Sequence, residues 1–180
     1  MRQILEADFD FFVSYDKSPA PPAGSWRYRW VLFRYLITQS GLFLFGLRLG
    51  GALAFVPRLQ ACYFLFFNIF WGCDIRARAT FGPGMYFPHP FGIVIGPLAV
   101  IDGNCVMFND VTLGKKYPGT IDGMPRIGKD TLIGAGARLL GDITLGDDIV
   151  IGCNAVVTKS VPTGHTVVGI NQISPGTYKR

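Results

Sequence analysis

Between Ile75 and Val157 an apolar residue returns every six positions, and few folds tolerate that period. The positions are Ile75, Phe81, Phe87 and Ile93, then Ile101, Met107 and Leu113 after a two-residue slip. Past a longer insertion come Ile127, Ile133, Leu139, Leu145, Ile151 and Val157. With 49% apolar residues, chance fills all of these places about once in ten thousand trials, and free choice of phase relaxes that about tenfold. Six is neither the 3.6 of a helix nor the 2 of a plain strand. It fits a short strand plus a tight corner, repeated, which makes the chain a β solenoid of hexapeptide coils.

The side chains support the coil. Glycine follows the beat at Gly82, Gly114, Gly128, Gly134, Gly146 and Gly152, where corners need positive φ or crowd one backbone against the next. Small or β-branched residues four places after the beat (Cys105, Val111, Thr131, Ala137, Ile143, Ile149, Ala155 and Val161 among them) form a second inward layer. One coil cannot bury its own face, so the coils must stack. An ordinary β-sandwich would not hold one phase through six successive hexads.

Three regions follow. Residues 1–72 form an apolar, basic, helical segment. It has one helix over 1–16, a Pro-rich linker at 18–25, a helix from Trp26 to about Gly50, and another from Pro57 to Trp71. The solenoid occupies 73–163, interrupted by a Gly/Pro-rich loop at 114–126, and a tail covers 164–180. Residues 26–72 carry five arginines and no acid, which suits either packing on the solenoid and on sister subunits or a peripheral membrane contact. Its apolar runs of 16 and 13 residues fall short of the ~20 a spanning helix needs. The aromatic cluster at 63–71 reads as core or subunit interface. The basic residues match no nucleic-acid motif. Four scattered cysteines form neither a disulfide framework nor, with two histidines, a metal site. The acidic N-terminus is unlike an export signal, so the expected location is the cytoplasm, at the inner face of the membrane if the apolar segment touches it.

His89, in FPHPFGIVIG, falls two places past a beat and should point outward near a corner. Asp74 lies 15 residues earlier, close to one coil below. A carboxylate beneath an imidazole fixes its tautomer and stabilises the imidazolium, as a general base requires. A histidine near a turn also serves structural roles, and the spacing alone leaves both open.

The runs DIRARATFGPG, HPFGIVIG, VTLG and IGAGARLLGDITLGDDIVIGCNAVVTKSVP resemble the serine acetyltransferase branch of the hexapeptide acyltransferases. The resemblance spans Cys73–Pro162. It implies a left-handed parallel β-helix, a homotrimer or dimer of trimers, and acetyl-CoA as co-substrate in the cleft between solenoids. By the same resemblance His89 is the catalytic base and Asp74 its partner. Gly114, Lys115, Lys116, Ala135 and Cys153 match positions lining the CoA arm. Lys159 either meets a CoA phosphate or is an exposed corner lysine.

The departures bear on the acceptor. In serine acetyltransferases an aspartate before the histidine holds the serine amine, and an Arg-His pair in the loop grips its carboxylate. Here these places hold Pro88, Gly123 and Met124. A charged acceptor without charged partners is costly to bind. In these features and in its short, greasy N-terminal segment the chain is similar to the acetyltransferases of exopolysaccharide and colanic acid biosynthesis. The expected function is therefore O-acetylation of a sugar hydroxyl in surface polysaccharide synthesis. Serine O-acetylation in cysteine synthesis is the alternative, and a non-catalytic hexapeptide scaffold a second.

Overall fold

The computed structural model describes residues 1–16, 22, 25–117 and 123–176. Most of the predicted linker at 18–25 and the middle of the loop at 114–126 lie outside them. Four α-helices lead: α1 (Arg2–Asp16), α2 (Trp26–Leu36), α3 (Gln39–Ala52) and α4 (Pro57–Trp71). The single helix expected from Trp26 to about Gly50 is in fact two. Thr38 caps α3, its hydroxyl accepting from the Gly41 amide, and the axis bends by 82° at the break. Pro57 starts α4, where its missing N–H costs nothing. Gly72 ends it in the left-handed conformation, φ 59°.

The remaining chain winds through three parallel sheets in turn, one short strand per face. The first sheet stacks β1 (Asp74–Ile75), β4 (Val94–Ile95), β7 (Thr112–Gly114), β10 (Arg138–Leu140) and β13 (Val156–Val157). The second stacks β2 (Thr80–Phe81), β5 (Val100–Ile101), β8 (Arg126–Ile127) and β11 (Thr144–Leu145). The third stacks β3 (Met85–Tyr86), β6 (Cys105–Met107), β9 (Thr131–Ile133) and β12 (Val150–Ile151). β14 (His165–Val168) continues this third sheet beyond Thr163, and β15 (Gln172–Pro175) folds back antiparallel against it.

The interior is the predicted ladder. Ile75, Phe87, Ile101, Met107, Leu113, Ile127, Ile133, Leu139, Ile151 and Val157 are fully buried, and Leu145 nearly so. Phe81 is partly buried against the same core. The second layer (Cys105, Val111, Thr131, Ala137, Ile149, Ala155) is fully buried too.

One phase differs. Ile75 pairs with Ile95, not Ile93, so the first coil is 20 residues long where Val94↔Thr112 and Arg138↔Val156 give 18. The two extra residues therefore lie between Phe87 and Ile95, in the turn bearing His89. Ile93 belongs to the second layer with Val111, Ala137 and Ala155, and its carbonyl accepts from the Asp74 amide. Of the two causes expected for the glycines after the beat, crowding applies at Gly82 and Gly128. Gly82 and Gly128 do not have positive φ; a Cβ on either would strike the backbone of the next coil.

The helices close the open end of the first coil. Phe43 packs edge-on against Trp71 and Phe87, joining the helical and solenoid cores. Arg48 reaches Asp8 with two nitrogens at 2.8 and 3.0 Å and donates to the Phe81 and Gly82 carbonyls. Asp8, fully buried, also accepts from the Met85 amide at 2.9 Å. A buried pair this well satisfied fixes α1 and α3 on the solenoid in one geometry.

Candidate active site

The first sheet organises every predicted site residue. Along one edge, where the chain turns from the third sheet into the first, stand His89, Ala135 and Cys153, in successively higher coils. Along the opposite edge, where it leaves toward the second sheet, stand Gly114, Lys115, Lys116 and Lys159. Asp74 begins β1, in the lowest coil of the face between.

Proline on each side stiffens the turn that presents His89. Ser40 near the start of α3 donates to the Pro88 carbonyl at 3.3 Å, and the Cys73 thiol contacts the Pro90 carbonyl at 3.5 Å. Burial raises the Cys73 pKa, which keeps the thiol protonated and able to donate. Phe87 and Pro90 are buried while the imidazole is exposed, 6.4 Å from the Phe108 ring. Gly92, at φ 66°, closes the turn; a Cβ there would run into the Asp110 carboxylate above.

Asp74 stands at the foot of the first sheet. The 20-residue first coil puts Val94 above it, and its carboxylate pairs with Arg76 through two contacts of 3.2 Å. Among the described residues no hydrogen bond joins Asp74 to His89. The two remain near one corner: Gly92 bonds the Gly72 carbonyl, and Pro90 touches Cys73, one residue before Asp74. Arg76 had no role in the sequence reading. The signal for it was its i,i+2 spacing from Asp74, which places both on one strand face. Asp74 and Arg76 line a cleft of about 560 Å³ between β1 and α4, with Ala61, Leu65, Asn68 and Ile69 opposite.

On the other edge Gly114 ends β7 and its carbonyl accepts from Gly141. Lys115 and Lys116 are exposed, with the Lys116 ammonium 5.5 Å over the Tyr117 ring. Ala135 is half-buried and its carbonyl accepts from Asn154; Cys153 and Lys159 are exposed. Met124 is buried with its methyl against Gly96, and Gly123 approaches Asp142, so neither place offers an acceptor a charge. Among the described residues no three His, Cys, Asp or Glu side chains gather as a metal site.

The bacterial transferase hexapeptide family (six repeats) matches residues 124–159. A serine acetyltransferase of Helicobacter pylori is 41% identical over 100 residues, covering 54% of this chain and 57% of that protein. A serine acetyltransferase of Mycobacterium tuberculosis is 39% identical over 120 residues, covering 62% and 52%. The chain thus spans about half the length of the curated relatives it matches. Among solved structures, Brucella abortus serine acetyltransferase in complex with coenzyme A has a TM-score of 0.82 at 30% identity, covering 99% of this chain and 69% of that one. The Neisseria gonorrhoeae serine acetyltransferase has a TM-score of 0.82 at 29% identity, covering 99% and 68%. These relatives overturn the expected sugar acceptor, and none of them is an exopolysaccharide enzyme. They are serine acetyltransferases, whose chemistry had been the alternative.

Proposed function

The chain belongs to the bacterial hexapeptide-repeat transferases, and on that premise we propose that it is an acetyl-CoA-dependent serine O-acetyltransferase. The observation that carries the reading is the exposed His89 on a proline-stiffened turn, within a fold and sequence shared with serine acetyltransferases. The coil is read as left-handed, the hand this family implies, and the working unit as a homotrimer with acetyl-CoA between neighbouring solenoids.

In this mechanism His89 takes the proton from the acceptor hydroxyl as the oxygen attacks the thioester carbonyl. Backbone N–H groups along the first-sheet edge steady the tetrahedral oxyanion. Collapse breaks the C–S bond, and His89 returns the proton to the departing sulfur. Gly114, Lys115 and Lys116 on one edge and Ala135 and Cys153 on the other would hold the CoA arm, with Lys159 near its phosphates. The acceptor enters lower down, at the α4 cleft. There Arg76 supplies a cation and Asp74 a carboxylate for its two opposite charges, in place of the contacts absent at Pro88, Gly123 and Met124.

The test is release of free CoA from acetyl-CoA in the presence of L-serine. Wild type should turn over, and His89→Ala should lose at least about a hundredfold in kcat, the usual share of a general base. Serine-independent CoA release, or full activity in His89→Ala, would overturn the assignment.

A further inference from the structure

Helix α4 is turned inside out for a helix facing water. Its two polar amides point inward: Gln60 donates to the Gly50 carbonyl at 3.1 Å, and Asn68 bonds both backbone groups of Ile75. Its outward side carries Leu59, Cys62, Phe66 and Phe70, with Leu65 and Ile69 at the border with the Asp74–Arg76 cleft. Phe66 is 73% exposed, Ile69 70% and Phe70 79%, and Phe55 just before the helix is 80% exposed. A groove of about 420 Å³ between α3 and α4, lined by Leu42, Gly46, Tyr63 and the two outward phenylalanines, extends the same apolar surface. Scattered exposed apolar residues need no explanation, but a contiguous patch of this kind marks an interaction surface.

Charge identifies what covers it. Residues 26–72 carry five arginines and no acid. Arg58 is exposed at the start of α4, and exposed Arg34 lies 4.8 Å over the Trp30 ring. A like-on-like contact of two such faces would bring Arg58 no carboxylate from residues 26–72, whereas anionic headgroups pair with it. Trp beside Arg is also a combination suited to the headgroup layer, where ring and stem are greasy and the charge stays wet. Among the described residues no single helix is long and apolar enough to cross a membrane, while the bent pair Trp30–Leu36 and Gln39–Phe55 passes by length and composition. With its amides turned inward and its apolar side chains outward, α4 is built to lie in the interfacial plane: we propose that the outward face of α4, with the adjoining α3 groove, docks this protein on an anionic lipid bilayer.

The experiment is flotation of the full chain with vesicles of phosphatidylcholine alone or with roughly 30 mol % phosphatidylglycerol. Light scattering without lipid runs in parallel. Wild type should float with the anionic vesicles and largely remain behind with the neutral ones. Binding should fall about fivefold in Arg58→Ala, the effect of one arginine near a charged surface, and should weaken at about 0.5 M salt. The double variant Phe66→Asp, Phe70→Asp should not float while keeping its circular dichroism. Should it fail to fold, Phe66→Ser with Phe70→Ser reads the same face. Wild type that stays behind with anionic vesicles, or flotation unchanged in the face variant, overturns the proposal. So does a face variant with a smaller particle mass in lipid-free solution, which would assign the surface to a second copy.

Discussion

Arg76 shows how a single residue changes the reading of an acceptor site. Three positions that hold serine in its acetyltransferases are here apolar or bare, and from sequence they argued for a neutral acceptor. The Arg76–Asp74 pair gives the α4 cleft one charge of each sign, the pair proposed above to meet the acceptor. Both side chains are more than two-fifths exposed, so the pair itself adds little stability and is free to exchange partners. If Arg76 reads the acceptor carboxylate, Arg76→Ala should raise KM for L-serine about tenfold, the worth of one charge-assisted hydrogen bond. It should leave L-serinamide, which lacks the carboxylate, little changed. Parallel losses for both acceptors would make Arg76 a merely structural residue. The outward place of His89 was legible from its position two residues past a beat, and the imidazole is exposed between two prolines. The 20-residue length of the first coil was not legible, because the two extra residues sit in that same turn.

At the scale of elements, the solenoid was legible and the helical segment only in part. A six-residue period has one physical solution, and its beat residues are inside. The slip was misplaced because Ile93 and Ile95 are both isoleucine and both buried, so composition cannot tell first layer from second. The break between α2 and α3 had a signal, Thr38 ahead of a new apolar run, but its partner contact is the Gly41 amide, which only the fold reveals. The Asp8–Arg48 pair was invisible for a simpler reason: its members lie 40 residues apart on different helices. Replacing one member of a buried pair strands the other, so Arg48→Met should cost about 3–5 kcal/mol in denaturant unfolding. Arg48→Met combined with Asp8→Leu should recover part of that loss, since no buried charge is then left unpaired. Equal stability of wild type and Arg48→Met would show that α1 is not pinned through this pair.

For the whole molecule, the two ends of the solenoid matter as much as its middle. Parallel coils leave an unpaired strand edge at each end, a template for joining further chains. At the lower end α3 and α4 cover it, with Phe43 and Trp71 driven into the core. At the upper end β15 runs antiparallel to β14, pairing Thr166 with Ser174 and Val167 with Ile173. Ending the chain after Thr163 removes both strands and bares β12. Such a truncation should form larger assemblies measurable by light scattering, while a chain ending after Gly176 stays at its native mass. No change in mass would mean that the hairpin does not guard the edge.

Because a lid sits at each end and the turns between repeat at 18 residues, as from Arg138 to Val156, the height of this tower is a free variable. A whole storey inserted between the roof and the corner that bears the imidazole would lift the one without tilting the other. Evolution, or an engineer, could thus lengthen the wall proposed to hold the cosubstrate while leaving the His89 turn on its original floor.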